Sequence, residues 1–143
     1  MNRMMIGSVI FLVLLIGCSK KDVFPTIRYG QDVCGECKMI IVEERFAAAI
    51  KHDGEVDKFD DIGCALKYSK KMKSPPEQFW VHNFKTNEWL NLKQSVIVQS
   101  SGLITPMGYG MAAFSDSPSA DQWVKQYGGS YQNTINLNGG INK

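Results

Sequence analysis

The sequence predicts an α+β fold: two related strand-strand-helix-strand units sharing a small core, behind a lipidated N-terminal tether. Three observations point there. The first 17 residues have the make-up of an export signal ending at a cysteine. A hairpin signal is followed at once by an amphipathic helix pattern and further strand candidates. The same order then recurs, more faintly, in the second half.

From the N-terminus, Met1 to Met5 carry one base, Arg3, and Ile6 to Ile16 is an uncharged apolar run. That run has the length of a signal-peptide core and is too short to span a bilayer as a stable helix. It ends in Leu15-Ile16-Gly17-Cys18. A small residue before the cysteine admits a signal peptidase, and the thiol is the nucleophile that takes up diacylglycerol. Residues 1–17 are therefore read as a lipoprotein signal peptide, Cys18 as the lipidated residue, and 18–30 as the tether. Ser19 after the cysteine permits outer-membrane sorting. The expected location is a cell membrane or outer membrane, held by lipid, on the periplasmic or cell-surface side.

Residues 31–138 are expected to hold the folded body, as units of about 38–92 and 93–138. Arg45 to Lys51 reads as a strand or buried run. His52-Asp53-Gly54-Glu55 contains an Asp-Gly turn, and Val56 to Phe59 returns from it. Asp60-Asp61 then precede Ile62, Ala65, Leu66 and Met72 at helical spacing, which predicts an aspartate N-cap. Lysines 67, 70, 71 and 73 crowd the C-terminal end, as the helix dipole prefers, and Pro75-Pro76 stop it. Gln78–Phe84 and Glu88–Leu92 are strand candidates around a Thr86-Asn87 turn. Val96-Ile97-Val98 and Met111–Phe114 are short apolar runs, and Ser115 to Ser119 a connection. Ala120 to Tyr127 reads as a helix stopped by Gly128-Gly129, and Ser130 to Leu137 as a last strand. Phe59-Asp60-Asp61-helix-strand is thus echoed by Phe114-Ser115-Asp116-helix-strand. Residues 139–143 are expected to form a flexible tail.

Composition narrows the function. Removing residues 1–17 takes one base, Arg3, from the chain's 16, leaving 15 against 14 acidic residues. That balance gives no electrostatic footprint for nucleic acid. No Ser-His-Asp set, phosphate loop or paired-carboxylate pattern is present, so an ordinary hydrolase is not supported. Of four cysteines, Cys18 is assigned to lipid. Cys34, Cys37 and Cys64 remain, an odd number for an oxidising compartment, so at least one thiol is free, bound or transiently paired.

The chemistry concentrates in sulfur. In Cys34-Gly35-Glu36-Cys37-Lys38-Met39 two thiols sit two residues apart, with a thioether close behind. Thiolates and thioethers together select copper(I) over harder ions. A redox pair or a structural disulfide between Cys34 and Cys37 are the other readings of the same spacing. Met107 and Met111 lie in and after a Gly-containing loop, Thr105 to Gly110. Met107, hemmed by Pro and Gly, has no apolar face to serve, while Met111 equally suits the first core position of a strand. Cys64 reads more simply as a small buried hydrophobe, and Asp60-Asp61 as helix caps. His52 and His82 are weaker nitrogen candidates.

Taken together, Cys18, Cys34-Gly-Glu-Cys37-Lys-Met39, Phe59-Asp-Asp-Ile-Gly-Cys64 and Thr105-Pro-Met107-Gly-Tyr-Gly-Met111-Ala-Ala-Phe114 resemble the NosL family. These are accessory lipoproteins of nitrous oxide reductase maturation, regarded as copper(I) chaperones. The resemblance covers nearly all of residues 18–143. It implies two strand-strand-helix-strand units related to a domain of organomercury lyases. It implies copper(I) ligation by Cys37, Met39 and Met107, with Cys34 left open as ligand or disulfide partner. Met111, Cys64, His52 and His82 are the weaker candidates. It also implies a carrier rather than an enzyme, working beside nitrous oxide reductase and its membrane-bound copper-site assembly machinery. The rival from the residues is a lipid-anchored thiol-disulfide oxidoreductase using Cys34 and Cys37.

Overall fold

The computed structural model describes residues 23–133. The signal peptide, the lipid site at Cys18, residues from Thr134 onward and the expected tail lie outside the described residues. The elements run β1 (Ala48–His52), β2 (Glu55–Phe59), α1 (Ile62–Ser69), β3 (Gln78–His82), β4 (Trp89–Asn91), β5 (Val96–Gln99), β6 (Met111–Phe114), α2 (Ser117–Tyr127) and β7 (Ser130–Gln132). Single 3-10 turns cover Glu44–Phe46 and Leu92–Gln94. Among the described residues, no helix is long and apolar enough to cross a membrane.

The expected α+β class and its repeat are both present. One antiparallel sheet has the order β2-β1-β3-β4 and the other β6-β5-β7. In each unit the first strand is central, the second forms one neighbour, and the strand after the helix forms the other. The chain therefore traces one path twice, with β4 added to the first sheet. A parallel bridge between Asn83 and Ala113 joins the sheets. There the Phe84 amide donates to the Ala113 carbonyl at 2.8 Å.

Local chemistry explains each corner. Asp53 and Gly54 take φ of 48° and 79°, the left-handed pair that a two-residue hairpin turn requires, and His52 faces Glu55 across it. Asp61 caps α1 by accepting from the Gly63 amide at 2.9 Å. Asp116 caps α2 by accepting from Ser119 at 2.8 Å. Phe59 and Phe114, the last residues of β2 and β6, are both fully buried. The echo in the sequence is thus an echo of role.

Several boundaries differ from expectation. Arg45 and Phe46 lie in the 3-10 turn, because the Ala47 amide closes back on the Glu44 carbonyl at 3.0 Å before β1 begins. α1 stops at Ser69, short of Met72; the Ser69 hydroxyl turns back to the Leu66 carbonyl at 2.9 Å. α2 starts earlier than Ala120, at Ser117, because Pro118 fits a first helical turn, where its missing N–H costs nothing. Ile27 and Tyr29 pack against the main core, so packing begins inside the span read as tether.

The main core lies between α1 and the first sheet, around Ile50, Phe59, Ile62, Leu66 and Val81. A smaller one lies under α2, from Val98, Ala112, Phe114 and Ala120, with Phe84 and Trp123 edge-on at 4.6 Å between centroids. Before β1, residues 30–41 form a separate hairpin. The Gly30 amide donates to Ile41, Ile41 to Asp32 and Cys34 to Met39, at 2.8–2.9 Å. This hairpin sets the site.

Candidate metal centre

The tip of that hairpin is Cys34 to Met39. It closes through Cys34 N–H to the Met39 carbonyl at 2.8 Å and Lys38 N–H to the Cys34 carbonyl at 3.1 Å. Lys38 takes a φ of 65°, a left-handed conformation unusual outside glycine, which turns the chain immediately after Cys37. The tip docks on the end of β2: the Gly35 amide donates to the Lys58 carbonyl at 2.8 Å. A Cβ on Gly35 would lie 3.2 Å from the Phe59 ring, so a larger residue would push the tip away. Glu36 is tied to α1 by Lys67 at 3.3 Å and to the turn after it by Lys71 at 2.6 Å. Asp32 accepts from Lys58 at 2.6 Å.

Docking brings the tip over the start of α1. One donor atom each from Cys34, Cys37, Asp60 and Cys64 all lie within 4.8 Å of one another. Metal–thiolate bonds of ~2.3 Å place two donors on one ion up to ~4.6 Å apart, so a small contraction lets the four share an ion. Cys34, Asp60 and Cys64 are buried and Cys37 is half-buried. The three thiols are free in the structure. Cys37 Sγ donates to Asp60 Oδ2 at 3.3 Å. The other oxygen, Asp60 Oδ1, is buried and has no hydrogen-bond partner. A buried carboxyl group with an unused acceptor, in a residue grouped with three thiols, fits a cation.

Burial pushes the Cys37 thiol up to about 11, helped by the neighbouring Cys34 and Asp60. Burial raises Cys64 further, with Cys34 and Asp60 adding to it. Both thiols are therefore protonated at neutral pH, and a metal must displace those protons. A cleft of about 540 Å³ opens beside the tip, lined by Gly35, Glu36, Lys38, Tyr68, Met72 and their neighbours, and no cysteine lines it. The cluster itself has the scale of an ion.

The other sequence candidates divide. Met39, two residues after Cys37, is 56% exposed, and Met107 is 38% exposed. The Met107 amide donates to Asp61 Oδ2 at 3.1 Å, which ties its loop to the residue next to Asp60. Met111 is the first residue of β6 and is buried in the main core. His82 stands elsewhere. Its Nδ1 donates to the Asn87 carbonyl at 2.7 Å, its Nε2 pairs with the Tyr29 hydroxyl at 3.0 Å, and its ring stacks on Trp89. His52 pairs with Asp57 at 2.7 Å on the β1–β2 hairpin. Neither histidine belongs to the four-donor cluster.

Asp60 was not a ligand candidate from sequence. A signal existed: of two consecutive aspartates only one can be the N-cap, so the other must face something else. Cys64, read more simply as a buried residue and carried as a weaker ligand candidate, is both buried and within the cluster.

A family model described as NosL matches residues 27–138, well over half of the chain. Comparison with curated proteins finds no match. Among solved structures, the fold resembles the crystal structure of the copper chaperone NosL from Shewanella denitrificans. The TM-score is 0.67 at 17% identity, covering 77% of this chain and 92% of that one. At that identity the likeness speaks for the fold, while the family match spans both halves of the repeat and the cysteine hairpin; the chain belongs to the NosL family.

Proposed function

We propose that this chain is a membrane-anchored copper(I) chaperone that supplies copper for maturation of nitrous oxide reductase, and that it catalyses no turnover. The observation that carries the reading is the gathering of three free thiols and a half-unpaired carboxyl group within 4.8 Å. Cys37 is the central ligand, since it is the thiol that is only half-buried. Met39, two residues after Cys37, and Met107, on the loop tied to Asp61, are exposed thioethers, soft donors that favour copper(I) over harder ions. Membership of the NosL family supports the reading, as does the shared fold of a crystallised copper chaperone of that family.

A carrier must also let go. Exposed thioethers allow an incoming ligand to bind before the old ones leave, whereas buried thiols alone would trap the ion. Lipid on Cys18 would hold the carrier near the membrane-bound assembly machinery, raising the effective concentration of the pair. The thiol oxidoreductase alternative fits less well. Attack on a disulfide needs a thiolate, and redox cysteines have lowered thiol pKa values, whereas Cys37 is pushed up to about 11.

The test is anaerobic titration of the reduced full chain in detergent with copper(I), against a chromophoric chelator, alongside Cys37→Ser and Met107→Ala. Tight binding of copper(I), weakened in both variants, is the expected result. Binding no tighter than that of a simple thiol would refute the carrier.

A further inference from the structure

Asp60 and Asp61 are adjacent in the chain, yet they serve different partners. Asp60 accepts from the Cys37 thiol. Asp61, fully buried, holds three groups at once. Its Oδ1 accepts from the Gly63 amide at 2.9 Å and starts α1. Its Oδ2 accepts from the Thr105 hydroxyl at 2.6 Å and from the Met107 amide at 3.1 Å. The first bond is an ordinary helix cap; the other two reach across to the loop between β5 and β6. Asp116, which caps α2 at the matching place in the repeat, makes its bonds only to Ser115 and Ser119. The extra bonds at Asp61 therefore exceed what capping needs.

Two further contacts hold the same loop. The Tyr109 side chain packs directly on Gly63, where a Cβ would come within 2.0 Å of it. The Gly110 amide donates to the Thr105 hydroxyl at 3.2 Å. Gly110 takes a φ of 66°, and a Cβ there would meet the Ser100 carbonyl at 2.3 Å. The backbone around Met107 is thus pinned at several points, while its side chain stays exposed.

We infer that Asp61 is a positioning residue for the metal centre: through Thr105 and the Met107 amide it ties the Met107 loop to the start of α1, one residue along the chain from the Asp60 carboxyl group that receives Cys37. This rests on the proposed copper(I) reading and deepens it. A thioether is a weak donor on a flexible stem, and fixing its backbone beforehand removes part of the ordering cost of binding. The two aspartates give a local address: Asp60 meets the thiol, and Asp61 meets the strand of chain that carries the thioether. Asp61 touches no ion itself.

Asp61→Asn separates the roles. Asparagine remains a good N-cap, so its oxygen keeps the bond from Gly63. Its NH₂ then faces the Met107 N–H, donor against donor, and the loop is released. Thr105→Val removes the hydroxyl and leaves Asp61 intact. Copper(I) affinity of the full chain is measured by chelator competition for wild type, Asp61→Asn, Thr105→Val, Met107→Ala and Asp61→Asn/Met107→Ala. X-ray absorption on the bound copper reports its sulfur shell.

The expected result is that Asp61→Asn weakens binding by about tenfold, as loss of a hydrogen bond to a charged group implies. Thr105→Val weakens it in the same direction. Copper bound to Asp61→Asn loses its thioether scattering and keeps the thiolate. In the double variant Asp61→Asn adds nothing to Met107→Ala. Equal effects with and without Met107 mean that Asp61 serves only the fold, and overturn the inference. So does wild-type affinity in Asp61→Asn beside a weakened Met107→Ala, which leaves the copper reading standing. Wild-type affinity in Met107→Ala itself removes Met107 from the site and the inference with it.

Discussion

At the scale of single residues, Asp60 is the residue most at odds with a stable metal-free protein. One oxygen has only a weak S–H donor and the other has nothing. An unsatisfied buried polar atom costs about 1–3 kcal/mol, and a mean S–H bond returns little of it. Natural sequences keep such a group when a bound partner uses it. Asp60→Ala is therefore expected to leave the copper-free protein as stable as wild type, or more so, in chemical denaturation. The same variant should weaken copper(I) binding. A variant that is less stable by several kcal/mol without metal would show that Asp60 serves packing instead. Cys64→Ala makes the complementary case. It removes a single sulfur atom from the core, so its folding cost should stay within about 2 kcal/mol, while copper affinity falls because a buried thiol of the cluster is gone. An unchanged affinity would return Cys64 to the plain core role that its helical spacing suggests.

At the scale of elements, the two caps and the first hairpin carry separable predictions. Asp116 is an exposed cap far from the thiols, and Asp116→Ala should cost about 1 kcal/mol of stability and leave copper affinity unchanged. On the hairpin, the hydrogen bond to Asp57 raises His52 above the ordinary imidazole range. Burial pushes Asp57 up, but hydrogen bonds from Tyr68 and His52 outweigh it and hold Asp57 below the usual carboxylate range. A raised histidine adds stability that is fully present below its unfolded pKa of about 6.5 and is lost as pH rises through the folded value. A depressed aspartate adds stability present above about 3.9 and lost as pH falls. The stability gap between wild type and His52→Gln should thus be widest near pH 5 and close toward pH 9 in denaturant melts. A gap that does not change over that range would dismiss the pair. These elements were legible because their signals are local: Asp-Gly at a hairpin, aspartate before an apolar helix face, glycine after α2. The boundaries that shifted did so for equally local reasons, such as Pro118 in a first turn. The site was legible only in part. Cys37 and Asp60 lie 23 residues apart, and what unites them is the Gly35 amide on the Lys58 carbonyl, a contact that no spacing rule encodes.

At the scale of the whole molecule, the metal centre joins a part of the chain that belongs to neither repeat. The hairpin of residues 30–41 precedes both sheets. Its buried anchors are Cys34 and Ile41, while Val33, Met39, Ile40 and Val42 are all more than half exposed. Polar contacts do much of the remaining work: Lys58 to Asp32, and Lys67 and Lys71 to Glu36. The two pairs to Glu36, whose lysines are exposed, contribute between nothing and about 1 kcal/mol each, and salt screens them. Without metal, this hairpin is secured by little apolar burial beyond Cys34 and Ile41. An ion shared by Cys34 and Cys37 on one side and by Asp60 and Cys64 on the other would bind the hairpin to the start of α1. Binding to the native state alone stabilises by about 2.7 kcal/mol at a ligand concentration a hundred times Kd, and here that gain is local. Amide hydrogen exchange should therefore slow most in residues 30–41 and at the start of α1 when copper(I) is added. β7 and α2 should change little, since no donor comes from them. Uniform slowing across both sheets would mean that the ion stabilises the fold as a whole and that the hairpin is no separate unit. Slowing confined to the hairpin and the start of α1 would give the carrier its release route: once a partner has taken the ion, the hairpin is held by Cys34, Ile41 and the Gly35 amide alone, with screened charges around them.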